Sequence, residues 1–281
     1  MANKSLEERI HRLPCWRSAI SLAPLKGGLT NISFVATDGP SRFVVRCGED
    51  IPVHHVFRDR ERAASRAAHA AGLSPEIIHA EPGITVQRFI DGRTFEEKDL
   101  GANIARIVAL LKTGHREIGR HLQGAANAFW VFHVIRDYVR LVGADRQYLQ
   151  LADRLEAVQV ALPMVFGHHD LLPGNIMDDG TRLWLIDWEY GAFGTPLFDL
   201  ANLSSNGAFD EAQDSALLTS YFDGTVSPEL RSAFEAMKAA SLLREALWAL
   251  VSDAHLKTPG IDYQAHAKEY FSRLSRAPLP A

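Results

Sequence analysis

Three residues in one short stretch have the types and the spacing that phosphoryl transfer uses. In residues 165–189, VFGHHDLLPGNIMDDGTRLWLIDWE, the carboxylate of Asp170 is followed five positions later by the amide of Asn175, and twelve positions after that by a second carboxylate, Asp187. An attacking hydroxyl needs a group that orients it and takes its proton, which a carboxylate supplies. An amide oxygen and another carboxylate are hard donors of the kind that hold magnesium against phosphate oxygens. Pro173 and Gly174 supply the turn between base and amide. Taken singly, each residue has a plainer reading: Asp170 caps a turn, Asn175 bonds backbone, and Asp187 marks a strand end. At this spacing, with short apolar runs at Val165-Phe166 and 183–186 leading into the two halves, the chemical reading is preferred. The doublet His168-His169 has no third ligand at zinc spacing, so no zinc site is expected.

Elements to position such a site are legible on both sides of it. The first ~90 residues read as strands with one helix: runs at 32–36 and 43–46 joined by turn chemistry at 37–41, an Ala- and Arg-rich helix over about 53–71 stopped by Gly72, and a strand at 84–89. From Leu100 the periodicity turns helical. Ile104, Ile107, Val108 and Leu111 mark one face, and similar stripes run through 132–142, 151–160, 217–222, 230–251 and 263–274. The island 165–191 interrupts them. No repeat and no low-complexity segment is visible. The expected fold is α+β, with a small β-rich lobe over 1–89, a larger mainly helical lobe over 90–281, and a ligand between them.

Composition narrows the function further. The 281 residues, 47% hydrophobic and 23% charged, are ordinary for a globular chain and exclude a disordered or fibrous one. Thirty basic against 34 acidic residues give a net charge of −4, which lacks the basic footprint of a nucleic-acid binder. The charged start, MANKSLEERIHRLP, has no apolar stretch like that of a signal peptide, and no run approaches the ~18 apolar residues of a membrane span. A cytoplasmic protein with two reduced thiols, Cys15 and Cys47, is the expectation.

The sequence H-x-D, L-x-P-x-N and then I-D-W-E resembles the catalytic segment of the protein-kinase-like small-molecule phosphotransferases, which include choline/ethanolamine kinases and aminoglycoside phosphotransferases. The resemblance covers about residues 20–275. It implies a two-lobed fold with ATP between the lobes, Asp170 as catalytic base, Asn175 and Asp187 as Mg²⁺ ligands, and His168 as a structural residue of the loop. Gly27-Gly28-Leu-Thr30-Asn31 is neither a P-loop nor a Rossmann fingerprint, and read alone it is a Gly-Gly turn before a strand. Its position is similar to the choline-kinase loop that covers the ATP phosphates. Period-two alternation puts Arg46 on a face with Val44 and away from Phe43 and Val45. The family places its phosphate-contacting cation there, and a guanidinium fork suits phosphate oxygens. Glu61 is the candidate partner for Arg46, with Asp59 competing. Gln87 and Phe89 fall where the family's inter-lobe hinge passes the adenine.

On the acceptor side, Trp188, Glu189 and Tyr190 stand next to Asp187, and Phe198-Asp199-x-x-Asn202 is similar to a choline/ethanolamine kinase segment. The late helices, with Glu245, Trp248, Tyr263 and Tyr270, resemble those that carry the family's acceptor-pocket aromatics. Aromatic faces and an acid suit a cationic alcohol such as choline or ethanolamine. One position departs from the family: a tryptophan usually stands three residues before the one matching Trp248, and here it is Glu245, which moves the preference towards a primary amine or another cationic alcohol. Trp248 and Trp188 also read as core residues. The expected function is therefore ATP- and Mg²⁺-dependent phosphorylation of a small cationic alcohol. An aminoglycoside, thiamine or other alcohol as acceptor, or a catalytically silent nucleotide-binding module, are the alternatives, and the oligomeric state is open.

Overall fold

A computed structural model describes residues 2–25, 31–258 and 260–279. Its first half is built on a five-stranded antiparallel sheet in the order β1-β2-β3-β5-β4, comprising β1 (Ser21–Leu25), β2 (Ile32–Asp38), β3 (Ser41–Cys47), β4 (Ile77–Glu81) and β5 (Ile84–Arg88). The β2–β3 hairpin turns at Gly39, whose φ of +57° is one that side chains resist. Alternation then sorts the strands into two faces. Phe34, Ala36, Phe43, Val45, Cys47, Ile84 and Val86 form one core with Ile10, Leu13 and Ile20 from the segment led by α1 (Ala2–His11). The Asp38 carboxylate pins that segment by accepting from the backbone N–H groups of Arg17 and Ser18 at 2.7 and 3.0 Å. Arg46 lies on the opposite face, as period two requires.

Helix α2 (Arg58–Ala70) starts later than its composition suggests, because Pro52 opens a separate turn, Pro52–His54, closed by an Ile51–Val56 bridge. Its small face, Ala64, Ala67 and Ala68, packs into a second and larger core. That core is assembled from α4 (Ile104–His121), α5 (Val131–Val142), α6 (Gln147–Ala157), α7 (Pro196–Asn206), α8 (Glu211–Phe222), α9 (Pro228–His255) and α10 (Tyr263–Leu274), with short α3 (Glu97–Ala102) ahead of them. The β island lies on this core. Strand β7 (Val165–Gly167) pairs with β10 (Ala192–Gly194), and β8 (Ile176–Asp178) stands between β6 (Arg93–Thr94) and β9 (Leu183–Leu185).

The helical stripes read from the sequence correspond to α4–α6 and α8–α10. Helix α7 escapes that reading because every residue from Pro196 to Asn206 is buried, which leaves no polar face to create a period. Helix α1, the exposed β1 and the half-buried β4 also lie outside the expected elements. Cys15 and Cys47 are free thiols. Among the described residues, no helix is long and apolar enough to cross a membrane.

Candidate active site

The loop that carries Asp170 is held from behind by α7. Asp199 accepts the backbone N–H groups of His168 and His169 at 2.8 and 2.7 Å, and His115 Nε2 lies 2.9 Å from the same carboxylate. Burial alone would raise Asp199, but the bond from His115 and the surrounding imidazoles hold it well below the ordinary carboxylate range. One turn on, Asn202 Oδ1 accepts from Leu171 N at 2.6 Å and its amide donates to Ser241 Oγ of α9 at 3.0 Å. His168 Nε2 is 2.9 Å from the Ile186 carbonyl oxygen. His169 takes the left-handed conformation, φ +62°, and stacks on Phe129 with ring centroids 4.4 Å apart. Its ring lies so close to Gly167 and Gly194 that a Cβ on either would fall 2.6 or 2.8 Å from Nε2. Burial lowers both imidazoles, His169 to about 4, so the rings serve as neutral packing and hydrogen-bonding groups.

Asp170, Asn175 and Asp187 converge in front of this support. Asn175 Nδ2 donates to the Asp170 carbonyl oxygen at 2.9 Å and reaches its Oδ2 at 3.3 Å, so the amide oxygen is left for another partner. Ile186 N donates to the Asn175 carbonyl at 3.0 Å, which ties the two halves of the island together just before Asp187. Asp187 itself has φ +66°, an uncommon conformation for a residue with a side chain, of the kind that gathers at functional sites. Burial pushes Asp170 up to about 7. The Arg244 guanidinium opposes that shift, while Glu245 and Asp187 add to it. The donors beside it, one amide oxygen and one carboxylate, fit Mg²⁺, which prefers hard oxygen ligands and characteristically draws others from phosphate and water.

A chain of buried charges connects this centre to the sheet. Arg46 Nη2 contacts Asp187 Oδ1 at 2.6 Å and Arg46 Nη1 contacts Glu61 Oε1 at 3.0 Å. Glu61 Oε2 holds Arg58 Nη1 at 2.6 Å, and the same nitrogen reaches Glu189 Oε2 at 3.1 Å. Glu61 is thus the partner of Arg46, while Asp59 is exposed and pairs with Arg62. Asn31 packs over Gly48, where a Cβ would fall 2.3 Å from its Oδ1. Gly27, Gly28 and Thr30 lie outside the described residues. Gln87 is buried opposite Val44, on the Arg46 face of the sheet. Phe89 follows β5 under the Arg42 guanidinium, 4.2 Å from the ring centroid. A cavity of about 500 Å³ opens beside Phe89, Ile90, Ser74 and Trp184, and none of Asp170, Asn175 and Asp187 lines it.

Of the residues expected on the acceptor side, Tyr190, Glu245 and Trp248 come together near Asp170. Trp248 Nε1 donates to Tyr190 Oη at 3.2 Å, and its ring stacks on His54 and meets Tyr263 edge-on. Glu245 bridges His266 Nε2 at 3.1 Å and Arg244 Nη1 at 3.0 Å. Burial by itself would raise Glu245, but His266 and Arg244 together hold it below its ordinary value. Trp188 and Glu189 depart from the expectation. Trp188 is 2% exposed, donates to Ser74 Oγ at 2.6 Å and packs on His168 and Phe166. Glu189 turns to Arg58 of α2. The left-handed step at Asp187 starts a tight turn, so its three successors leave in different directions and only Tyr190 joins the acceptor group. Arg58 and Arg244 were not singled out by the sequence reading. Their one signal is a charge inside an otherwise core-forming or charge-dense helix.

A model of the phosphotransferase enzyme family matches residues 21–237, from β1 through the island and into α9. The chain belongs to that family. This phosphotransferase is 25% identical over 244 residues to protein LicA of Haemophilus influenzae, covering 80% of this chain and 70% of LicA. It is 26% identical over 280 residues to a probable ethanolamine kinase of Arabidopsis thaliana, covering 83% and 73%. Among solved structures, a choline/ethanolamine kinase family protein from Mesorhizobium loti matches with a TM-score of 0.77 at 29% identity, over 98% of this chain and 94% of that one. Choline kinase LicA from Streptococcus pneumoniae has the same fold, with a TM-score of 0.79 at 21% identity over 98% of both chains. The phosphotransferase class and the α+β, protein-kinase-like fold implied by the sequence motifs are thereby borne out.

Proposed function

We propose that this phosphotransferase moves the γ-phosphoryl group of ATP, with Mg²⁺, to the hydroxyl of a small amino alcohol, ethanolamine or choline first. Residues 1–89 act as the nucleotide lobe and 90–281 as the catalytic and acceptor lobe of a cytoplasmic enzyme. The observation that carries this reading is the convergence of a base, a hard-oxygen donor pair and a pinned guanidinium. Asn175 contacts Asp170, and Arg46 bridges Asp187 and Glu61 at 2.6 and 3.0 Å. Relatives named as choline and ethanolamine kinases support the acceptor class.

In this mechanism Asp170 orients the acceptor hydroxyl and takes its proton. The Asn175 amide oxygen and the Asp187 carboxylate would hold Mg²⁺, which would supply positive charge to neutralise the phosphates. Arg46 steadies the phosphates and Glu61 keeps Arg46 extended towards them. Gly27, Gly28, Thr30 and Asn31 are assigned to the phosphates by their likeness to the family's loop alone, and Gln87 and Phe89 to the base of the nucleotide. Tyr190 and Trp248 give aromatic faces to the acceptor, and the ionised Glu245 gives a primary ammonium a charged hydrogen-bond acceptor that a quaternary one cannot use.

The test is ADP release with ATP and Mg²⁺ against ethanolamine, choline, thiamine, kanamycin and no acceptor, with Asp170→Asn alongside. Turnover with ethanolamine or choline that disappears in the variant is the expected result. Turnover with kanamycin alone would keep the reaction and replace the acceptor. Turnover undiminished in Asp170→Asn would refute the assignment of the base.

A further inference from the structure

Arg244 is a buried cation beside the base, and the acceptor reading leaves most of it without a role. It projects from the middle of α9, 1% exposed. Its Nη1 lies 3.5 Å from Asp170 Oδ1 and 3.0 Å from Glu245 Oε2, and its guanidinium carbon stands 4.5 Å from the Tyr190 ring centroid. Nε and Nη2 are buried and have no hydrogen-bond partner among the described residues. These two nitrogens form one edge of the guanidinium plane, the fork that binds two oxygens side by side. Leaving such an edge dry and unpaired is costly, and the cost has a purpose where the partner arrives with a ligand.

That partner has to be a pair of oxygens carrying negative charge, next to Asp170. The two oxygens of Asp170 are divided: Oδ2 faces the Asn175 amide at 3.3 Å and Oδ1 faces Arg244 at 3.5 Å. An acceptor hydroxyl bound to this carboxylate brings the phosphorus it attacks to the same place. The loop carrying the base supplies no positive charge there, because residues 168–175 are HHDLLPGN and burial disfavours the charged form of both imidazoles. Arg46, given to the phosphates from the sheet side, is held at Asp187 and Glu61, and Arg58 at Glu61 and Glu189, whereas Arg244 contacts Asp170 itself.

We propose that Arg244 is a further catalytic residue, whose Nε and Nη2 bind two oxygens of the phosphoryl group as it passes to the acceptor. The bond from the acceptor oxygen to phosphorus forms while the bond from phosphorus to the β–γ bridging oxygen breaks. That electron pair leaves with ADP, and the hydroxyl proton goes to the Asp170 carboxylate. Arg244 exchanges no proton. It meets charge that spreads over the phosphoryl oxygens in transit, which is where fixed donors accelerate a reaction most. The proposal rests on the phosphotransferase reading above but not on which alcohol is the acceptor.

Calorimetry of Mg²⁺·ADP binding with and without aluminium fluoride, a mimic of the phosphoryl group in transit, needs no acceptor. The wild-type protein is expected to bind ADP more tightly with the fluoride. Arg244→Met is expected to bind ADP as the wild type does while losing about a hundredfold of that tightening, with a similar loss in slow ATP hydrolysis by water. Arg244→Lys, which keeps the charge but not the fork, is expected to lose about tenfold, and it carries the test should the Met variant not fold. Full tightening in either folded variant overturns the proposal. So does a loss confined to the acceptor KM, which would make the partner an oxygen of the acceptor itself. A wild-type protein that binds ADP without any fluoride response also overturns it and leaves the phosphotransferase reading standing. A wild-type protein that binds no Mg²⁺·ADP overturns both.

Discussion

Replacing Asp199 with asparagine is expected to displace Asp170, the proposed base, without touching it. Asp199 Oδ2 accepts from His168 N at 2.8 Å and is 2.9 Å from His115 Nε2, while Oδ1 accepts from His169 N at 2.7 Å. Hydrogen bonds to a charged acceptor contribute about 1.5–3 kcal/mol each. Asparagine keeps one oxygen and turns an NH₂ group towards at least one of these donors. One charged bond is lost, one buried N–H is stranded at a further ~1–3 kcal/mol, and the rest weaken to neutral ones. The expected destabilisation is about 3–5 kcal/mol, a large part of a total near ~5–15 kcal/mol. Asp170 follows the two residues whose backbone Asp199 holds, so a shift of ~1 Å there also costs about a hundredfold in rate.

Urea denaturation and single-turnover kinetics measure both effects, and pH gives a second check on the cause. The folded-state pKa of Asp199 is depressed below its ordinary 3.8. Its stabilisation is therefore fully present above that pH and is lost as pH falls through the ordinary value towards the folded one. Asparagine has no such titration, so the gap between the two proteins is expected to shrink below about pH 4. A variant within about 0.5 kcal/mol of wild type at pH 7 would refute the account, since that is the range of an inconsequential surface change. A gap that stays constant into acid would refute its electrostatic part.

Glu61→Gln removes the charge that two buried guanidiniums share, and is expected to cost about 3 kcal/mol in stability and raise the KM for ATP about tenfold. Thermal melts and an ATP titration check this, and an unchanged KM would sink the role given to Arg46. Asp170 acts as a base only when ionised and burial holds it at about 7, so kcat/KM is expected to fall about tenfold per pH unit below that point. A pH profile with its acid limb near 4 would contradict this. Trp188→Phe, which loses the bond to Ser74 and part of the indole's buried packing, is expected to cost about 2–4 kcal/mol and leave the acceptor KM unchanged, whereas Trp248→Ala raises it about tenfold. The opposite ranking, read from the same steady-state titrations, would restore the sequence-based placement of Trp188.

Where the candidate site is built from residues close together in the chain, it was legible as a candidate in advance. Asp170, Asn175 and Asp187 sit within one island, and the turn and short strands that carry them are written in the same few residues. Alternation in β3 likewise placed Arg46 away from the apolar core, because side-chain direction in a strand depends on parity alone. Choosing between Asp59 and Glu61 was not possible locally. The two positions lie about 200° apart around α2, and only the docking of that helix decides which one meets the sheet. Helix α7, buried on every side, carried no period at all.

The amino-acid sequence alone indicated the phosphotransferase class and most of the helices of the second half, since motif spacing and periodicity are short-range properties. Tertiary structure decided the acceptor side. There the direction of a side chain depends on backbone steps such as the left-handed one at Asp187, and on helices brought together from distant parts of the chain. Trp188 went to Ser74, Glu189 to Arg58, and Arg244 came from 74 residues away to stand against Asp170. Burial then moved the titrating groups, because desolvation acts on a side chain only after its surroundings have closed over it.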